Sequence, residues 1–207
     1  GESGRWGHAI GGMGSISDAV MEEGKKHGVR YHTNKAVEKI VVENGSIKGV
    51  ITEDGSAHEA DTVVANVNPI LLFNHLLSES DVPPELYSHF QQYKCGSGAF
   101  RLNLALNGLP NFPGRQVPHC LEAGIILGPS LEYMDRAYLE ARTNGWSNNP
   151  VIELLIPSLV DDSLAPKGCH VVSLFCQHFS PDLGMQWDTC KEQAVASILN
   201  TVEVSFP

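Results

Sequence analysis

The sequence predicts a mixed α/β fold in two parts. Two runs rich in β-forming residues, Val37 to Glu43 and Ser46 to Thr52, flank Asn44-Gly45, a dipeptide that readily supplies the positive φ angles of a type I′ turn. Farther along, the apolar residues at 100, 102, 104 and 106 alternate with polar or small ones, as in a strand with one buried face. Patterns with helical spacing lie before, between and after these strands, so both kinds of structure alternate along the chain.

The first predicted element is a helix that follows a glycine-rich opening segment. Ser15 precedes Asp18 by three residues, which is a variant of the capping box at a helix start. Gly28 is placed just past the end of this helix, after basic residues in its last turn. A short strand is then predicted at 29–32.

A three-stranded antiparallel meander follows. The two runs around Asn44-Gly45 supply its first two strands, and Asp54-Gly55 turns the chain into a third strand at 56–60. The next run, Thr62 to Asn66, is nearly uniformly apolar. This composition predicts a central strand that is covered on both faces.

The remaining pattern changes after Pro69, and we expect one structural part at 1–68 and another at 69–207. The second part is predicted to contain four helices and four strands, joined in the middle by a proline-containing loop at 108–120. The helices are expected at 70–77, 85–93, 131–142 (capped by Ser130) and after Asp188, and the strands at 100–107, 123–127, 151–156 and 171–177.

Composition excludes several functional classes. The formal net charge of −10, from 14 basic and 24 acidic residues, disfavours a nucleic-acid partner. No apolar run has the length of a transmembrane segment. The five cysteines are scattered and form no CxxC, so we expect a reducing compartment and no disulfide framework.

Gly11-Gly12-Met13-Gly14 is the first candidate for chemistry. Glycines let a backbone approach a ligand closely, and the helix start that follows presents unpaired N–H groups. The segment is not a GxxxxGK triphosphate loop, and a GxGxxG motif beginning at Gly12 would need glycine at Ser17. The alternative interpretation is a tight loop before a helix.

Histidine and cysteine pairs do not predict a metal site. In Cys169-His170 the two side chains would point to opposite faces of a strand, and Cys176 with His178 supplies only two ligands. We therefore expect no metal. Cys176 is interpreted as a small core residue, since no base is placed beside its thiol.

The succession of glycine loop, helix, meander and the run Ala-Asp-Thr-Val-Val-Ala at 60–65 resembles the middle section of FAD-dependent oxidoreductases of the phytoene-desaturase and amine-oxidase type. The resemblance implies that the glycine pair at 11–12 lies beside the flavin and that the start of the strand at 37–40 passes the adenosine end of the cofactor. It also implies that the run at 60–65 brings the chain back to the cofactor. The residues assigned to the cofactor on this basis are Gly11, Gly12, Met13, Val37, Ala65 and Asn66.

Further motifs at 128–142, 150–158 and 164–177 extend the resemblance over essentially the whole chain. It implies a partial FAD-binding domain at 1–68, a substrate-binding domain for a small apolar molecule at 69–207, and a mitochondrial setting for the parent protein. The chain contains neither the opening GxGxxG nor the closing glycine-rich flavin segment of that family. We expect a segment of a longer protein that by itself is inactive and binds FAD weakly or not at all.

Two points stay open at the level of sequence. No residue identifies itself as a catalytic acid or base, so the parent could instead be a regulatory or scaffold protein that binds a protein partner through 69–207, or the chain a binding module for an apolar small molecule. The polar strand face of Arg101, Asn103 and Asn107 could line a pocket or be an ordinary solvated sheet face.

Overall fold

The computed structural model describes residues 7–94, 98–112, 119–183 and 187–206. Contacts between Cα atoms divide the chain into two compact units. Residues 28–94 form one, which we call the meander unit, and residues 1–27 together with 95–207 form the other, the sheet-and-helix unit. The division into a part at 1–68 and a part at 69–207 that the sequence indicates stays a prediction.

Helices and strands alternate along the described residues as predicted for a mixed α/β fold. In chain order they are α1 (Gly14–Lys26), β1 (Val37–Glu43), β2 (Ser46–Thr52), β3 (Ala57–Glu59), α2 (Pro69–Leu71), α3 (Pro84–Gln91), β4 (Gly98–Leu106), β5 (Ile125–Leu127), α4 (Leu131–Asn144), β6 (Trp146–Leu155), β7 (His170–Phe179) and α5 (Trp187–Ser205). A π-helical turn at Leu72–Leu76 continues α2, and short 3-10 turns include Pro157–Leu159 and Asp162–Leu164.

The meander unit contains the predicted three-stranded antiparallel sheet, in the order β1-β2-β3. Its first turn has φ angles of 52° at Asn44 and 74° at Gly45, which confirms the predicted type I′ hairpin. Gly49 adopts φ 141° against β3, where an added Cβ would overlap the carbonyl oxygen of His58. Glycine is therefore the only residue that lets β2 and β3 approach each other at this point.

Two predicted strands are wrong. Residues 29–32 and 62–66 are not paired with any described strand, and Val64 is 91% exposed. The apolar composition of the run at 62–66 predicts a strand that is covered on both faces. A strand forms only where a neighbour accepts its backbone hydrogen bonds, and composition does not supply that neighbour.

The helix after the glycine segment begins differently from the prediction. Met13 is its N-cap, in the αR conformation and without a side-chain capping bond. Ser15 Oγ instead donates to the carbonyl oxygen of Gly12 at 2.7 Å, so the predicted capping box is wrong. The helix end is as predicted, since Gly28 follows it with φ 81°.

The sheet-and-helix unit is built on a four-stranded antiparallel sheet in the order β4-β7-β6-β5. One face of this sheet packs against α5, and the buried core lies between them. The core includes Ile152, Leu154, Leu174, Cys176, Ala194 and Ile198. The alternating leucines of β4 pack against the same core, which confirms the predicted half-buried strand. Ser130 caps α4 as predicted, accepting from the N–H of Tyr133 at 3.2 Å.

Candidate functional site

The glycine turn before α1 has a conformation that requires glycine. Gly11 and Gly12 adopt φ angles of 88° and 82°, in the left-handed region that side chains disfavour. A Cβ on Gly12 would also lie 3.3 Å from Leu164 Cδ2, closer than an ordinary contact. The turn is therefore specified by its own backbone and by its packing on the Asp162–Leu164 turn of the same unit.

A buried carboxylate holds this turn in place. Asp161 Oδ2 accepts hydrogen bonds from the backbone N–H groups of Gly11 at 2.8 Å and Gly12 at 3.1 Å. Its other oxygen accepts from the N–H of Ser163 at 3.1 Å and from the hydroxyl of Ser163 at 2.6 Å. Because Asp161 is only 2% exposed, these four donors replace the water that a carboxylate would otherwise bind.

The same donors stabilise the ionised form of Asp161. The hydroxyl of Ser163 makes the largest contribution, and the backbone N–H groups of Ser163, Gly11 and Gly12 add to it against the opposing effect of burial. Together they hold the pKa of the Asp161 carboxyl below its ordinary value. A negative charge thus lies beneath the glycine turn at neutral pH.

This arrangement decides which parts of the turn can meet a cofactor. The N–H groups of Gly11 and Gly12 already donate to Asp161, whereas those of Met13 and Gly14 make no hydrogen bond to a described residue. A Cβ added to Gly14 would meet nothing within 4 Å, and the side chains of Met13 and Ile10 are 62% and 69% exposed. The outer side of the turn therefore presents open backbone beside two exposed apolar side chains.

Three of the predicted cofactor residues lie in the meander unit. Val37 opens β1 and is paired with Thr52, and the strand register shifts between Val37 and Lys39. The backbone at Glu38 therefore lies outside the regular ladder. Ala65 and Asn66 are exposed and lie in the irregular segment after β3. Contact of these residues with a cofactor stays a prediction, as it does for the glycine turn.

The histidine, cysteine and carboxylate side chains of the described part of the chain are dispersed with respect to metal binding. No group of three His, Cys, Asp or Glu side chains is placed there to bind a metal ion. Cys176 is fully buried in the core, and this burial raises the pKa of its thiol to about 12. Ser158 Oγ lies 3.1 Å from His170 Nδ1 and accepts from the N–H of Val171, so it fastens the Pro157–Leu159 turn to β7.

Asp161 and Ser163 were not found from the sequence. The partners of Asp161 are separated from it by 150 and 149 positions along the chain, and no motif joins the two regions. The only local signal is the aspartate two residues before a serine, the spacing of a turn in which the carboxylate accepts the backbone N–H. That signal predicts a turn but not its long-range partner.

Comparison with known proteins shows similarity to oxidoreductases. Residues 2–99 match the family model of flavin containing amine oxidoreductases. The whole chain is also similar to curated proteins named as desaturases. It is 22% identical to 4,4'-diapophytoene desaturase of Methylomonas sp over 94% of this chain, and 25% identical to zeta-carotene-forming phytoene desaturase of Myxococcus xanthus over 95%. The chain is therefore similar to flavin containing amine oxidoreductases over residues 2–99 and to proteins named as desaturases over most of its length, in agreement with the resemblance of its motifs.

A mammalian relative matches at higher identity. The chain is 32% identical over its whole length to pyridine nucleotide-disulfide oxidoreductase domain-containing protein 2 of Rattus norvegicus. It spans 38% of that relative and 36% of each of the two desaturases. An oxidoreductase from Methanosarcina mazei shares the fold, with a TM-score of 0.66 and 20% identity over 96% of this chain and 40% of that structure. Among the described residues, no helix is both long enough and apolar enough to cross a membrane.

Proposed function

We propose that this chain forms part of an FAD-dependent oxidoreductase, with residues 1–68 as one wall of the cofactor cleft and residues 69–207 as the substrate domain. The observation that carries the proposal is the match of residues 2–99 to flavin containing amine oxidoreductases, in a region where the turn before α1 leaves its outer backbone open. When bound, FAD would accept a hydride from a carbon–carbon or carbon–nitrogen bond of the substrate.

The residues of the chain would bind and orient the cofactor. Gly12, Met13 and Gly14 would let the ring approach the backbone closely, and the exposed side chains of Ile10 and Met13 would exclude water from one side of it. Asp161 would act as a positioning residue, because it fixes the two glycine N–H groups from below.

The resemblance also assigns cofactor contacts to residues of the meander unit. Val37 would pass the adenosine end through backbone contacts, and Ala65 and Asn66 would return the chain towards the cofactor. The support for these assignments is the order of the elements and the exposure of all three residues.

The substrate would be apolar. Support comes from relatives named for their action on phytoene and 4,4'-diapophytoene, which are hydrocarbons. A mitochondrial location is proposed on the resemblance alone. A protein partner for residues 69–207 stays an alternative that no described contact favours.

Equilibrium dialysis against FAD tests the idea of a partial cleft. The 207-residue chain should retain little or no flavin, because it contains neither the GxGxxG motif nor the closing glycine-rich segment that the resemblance implies for a complete cleft. Near-stoichiometric yellow flavin on the purified chain would contradict this division.

The functional claim needs the full-length parent. Its absorbance spectrum should show flavin bands that a substrate bleaches. A flavin-free parent that captures a protein partner would instead support the scaffold alternative.

A matched pair of variants in the parent tests the glycine turn itself. Gly14→Leu should weaken FAD binding, because it places a bulky side chain on open backbone at a helix position that tolerates leucine. Gly7→Leu is the control, since a Cβ there also meets nothing within 4 Å. Equal flavin retention in the two variants would rule out contact between this turn and the cofactor.

A further inference from the structure

One face of the four-stranded sheet carries a row of residues that the proposed cofactor site does not use. Arg101, Phe175, Glu153 and Ile126 are register partners across β4, β7, β6 and β5. Directly opposed residues of neighbouring strands share a face. This row therefore lies on the face opposite Leu174 and Cys176, which pack in the core beneath α5; we call it the outer face.

Arg101 is held in a defined position on the outer face. Its Nη1 donates to Ser173 Oγ at 2.6 Å, and its guanidinium carbon lies 5.1 Å from the centroid of the Phe175 ring. Stacking on a ring and a hydrogen bond together restrict the side chain while leaving most of its five N–H donors free. An arginine that is held in this way is suited to binding a planar anion such as a carboxylate.

No carboxylate neutralises this charge within the described part of the chain. Arg101 forms no ion pair with any described Asp or Glu. Glu153 shares the row, but two strand spacings put its Cα about 10 Å from that of Arg101. Its Oε1 lies 4.0 Å from the position of a Cβ on Gly124, on the side of β5. The cation is thus available to a ligand.

Apolar side chains lie on the same face as this cation. Phe175 lies under the guanidinium, Leu155 is the exposed register partner of Ser173, and Ile126 is 67% exposed at the end of the row. An ordinary solvated sheet face would carry polar residues at these positions. The outer face therefore combines one fixed positive charge with uncovered apolar surface.

We propose that the outer face binds a small apolar molecule that carries one carboxylate group, with the carboxylate on Arg101 and the hydrocarbon part over Phe175 and Leu155. Charge complementarity selects the anion, and the neighbouring side chains select its tail. The proposal rests on the proposed function in one respect, because it takes molecules of this kind to be the class of substrate. Binding itself requires no flavin, so the two claims can fail separately.

Nuclear magnetic resonance titration of the 207-residue chain with octanoate at pH 7 tests the site. The side-chain Nε–H signal of Arg101 should shift and saturate at about millimolar octanoate, since a single charge and a short tail give weak binding. The affinity for 1-octanol, which has the tail without the charge, should be about fivefold lower than the affinity for octanoate. Arg101→Gln should reduce octanoate affinity by a similar factor, and Arg101→Lys should retain part of it.

Arg142→Gln is the matched control. Arg142 is also exposed and lies 5.9 Å from an aromatic ring, that of Tyr138, but it belongs to α4 and is not one of the register partners of the row. Its replacement should leave octanoate binding unchanged. If Arg101→Gln does not fold, as judged by circular dichroism, the comparison of octanoate with 1-octanol in the unaltered chain decides.

Three results would overturn the proposal. Equal affinity for octanoate and 1-octanol would show that the face binds only the apolar tail and that Arg101 does not bind the carboxylate. Octanoate affinity that is unchanged in folded Arg101→Gln would place the ligand elsewhere. Binding to vesicles of phosphatidylserine with no binding of octanoate would identify a membrane-surface contact instead. FAD retention by the parent is measured independently, so its absence would refute the proposed function without touching this site.

Discussion

Gly12→Ala is expected to destabilise the chain because of the conformation of the turn before α1. An alanine at φ 82° costs about 1–2 kcal/mol relative to glycine. The new Cβ would lie 3.3 Å from Leu164 Cδ2, which requires a shift of only a few tenths of an ångström. The free energy of unfolding should thus fall by about 1–2 kcal/mol, which for a domain of this size lowers the thermal midpoint by about 2–8 °C.

Gly14→Ala provides the matched control two residues away. Gly14 is the first residue of α1, has no positive φ angle, and a Cβ there meets nothing within 4 Å. Alanine is a better helix former than glycine, so this variant should add at most about 1 kcal/mol to the free energy of unfolding. Its thermal midpoint should therefore be unchanged or higher. Both midpoints can be measured by circular dichroism in the same buffer.

Hydrogen exchange at the Gly11 N–H separates global from local effects. If the turn leaves Asp161 before the unit unfolds, Gly12→Ala should speed exchange at Gly11 even where the midpoint changes little. A variant with both an unchanged midpoint and unchanged exchange would refute the left-handed turn and its attachment to the carboxylate.

Further predictions concern Asp161 and the core of the sheet-and-helix unit. The pKa of the Asp161 carboxyl is depressed in the folded chain, chiefly by Ser163, so the ionised carboxylate stabilises the fold at pH values above the unfolded pKa of about 4. This stabilisation is lost as the pH falls below that value. Urea midpoints measured against pH should therefore fall less steeply on the acid side in Asp161→Asn. Leu174→Ala removes a fully buried side chain and should cost about 2–5 kcal/mol in urea unfolding. Iodoacetamide at pH 8 should modify the half-buried Cys169 but not Cys176, as read by peptide mass spectrometry, and rapid labelling of Cys176 would contradict its buried position.

Elements determined by neighbouring residues were predictable from the sequence. The bounds of β1 and β2 agree with the prediction because the Asn44-Gly45 turn and the two β-rich runs act over a few positions. The cap of α4 by Ser130 is equally local. In each case the interaction that fixes the element lies within the few residues whose sequence pattern predicts it.

Features that depend on distant partners were not predictable. The apolar run at 62–66 has the composition of a strand, but no described strand pairs with it. At the glycine turn the sequence indicated N–H groups open to a ligand, whereas the structure gives those of Gly11 and Gly12 to Asp161. No periodicity connects positions so far apart, so only the folded chain reveals which donors remain open.

The bond from Gly11 to Asp161 also has a consequence for the order in which the chain folds. It joins positions 150 residues apart, whereas the β1–β2 hairpin closes over two. Bringing such distant residues together costs more chain entropy, and contacts of this kind form after the local ones that shorten the path between them. In refolding followed by pulse labelling, the hairpin amides should gain protection early and the Gly11 amide among the last.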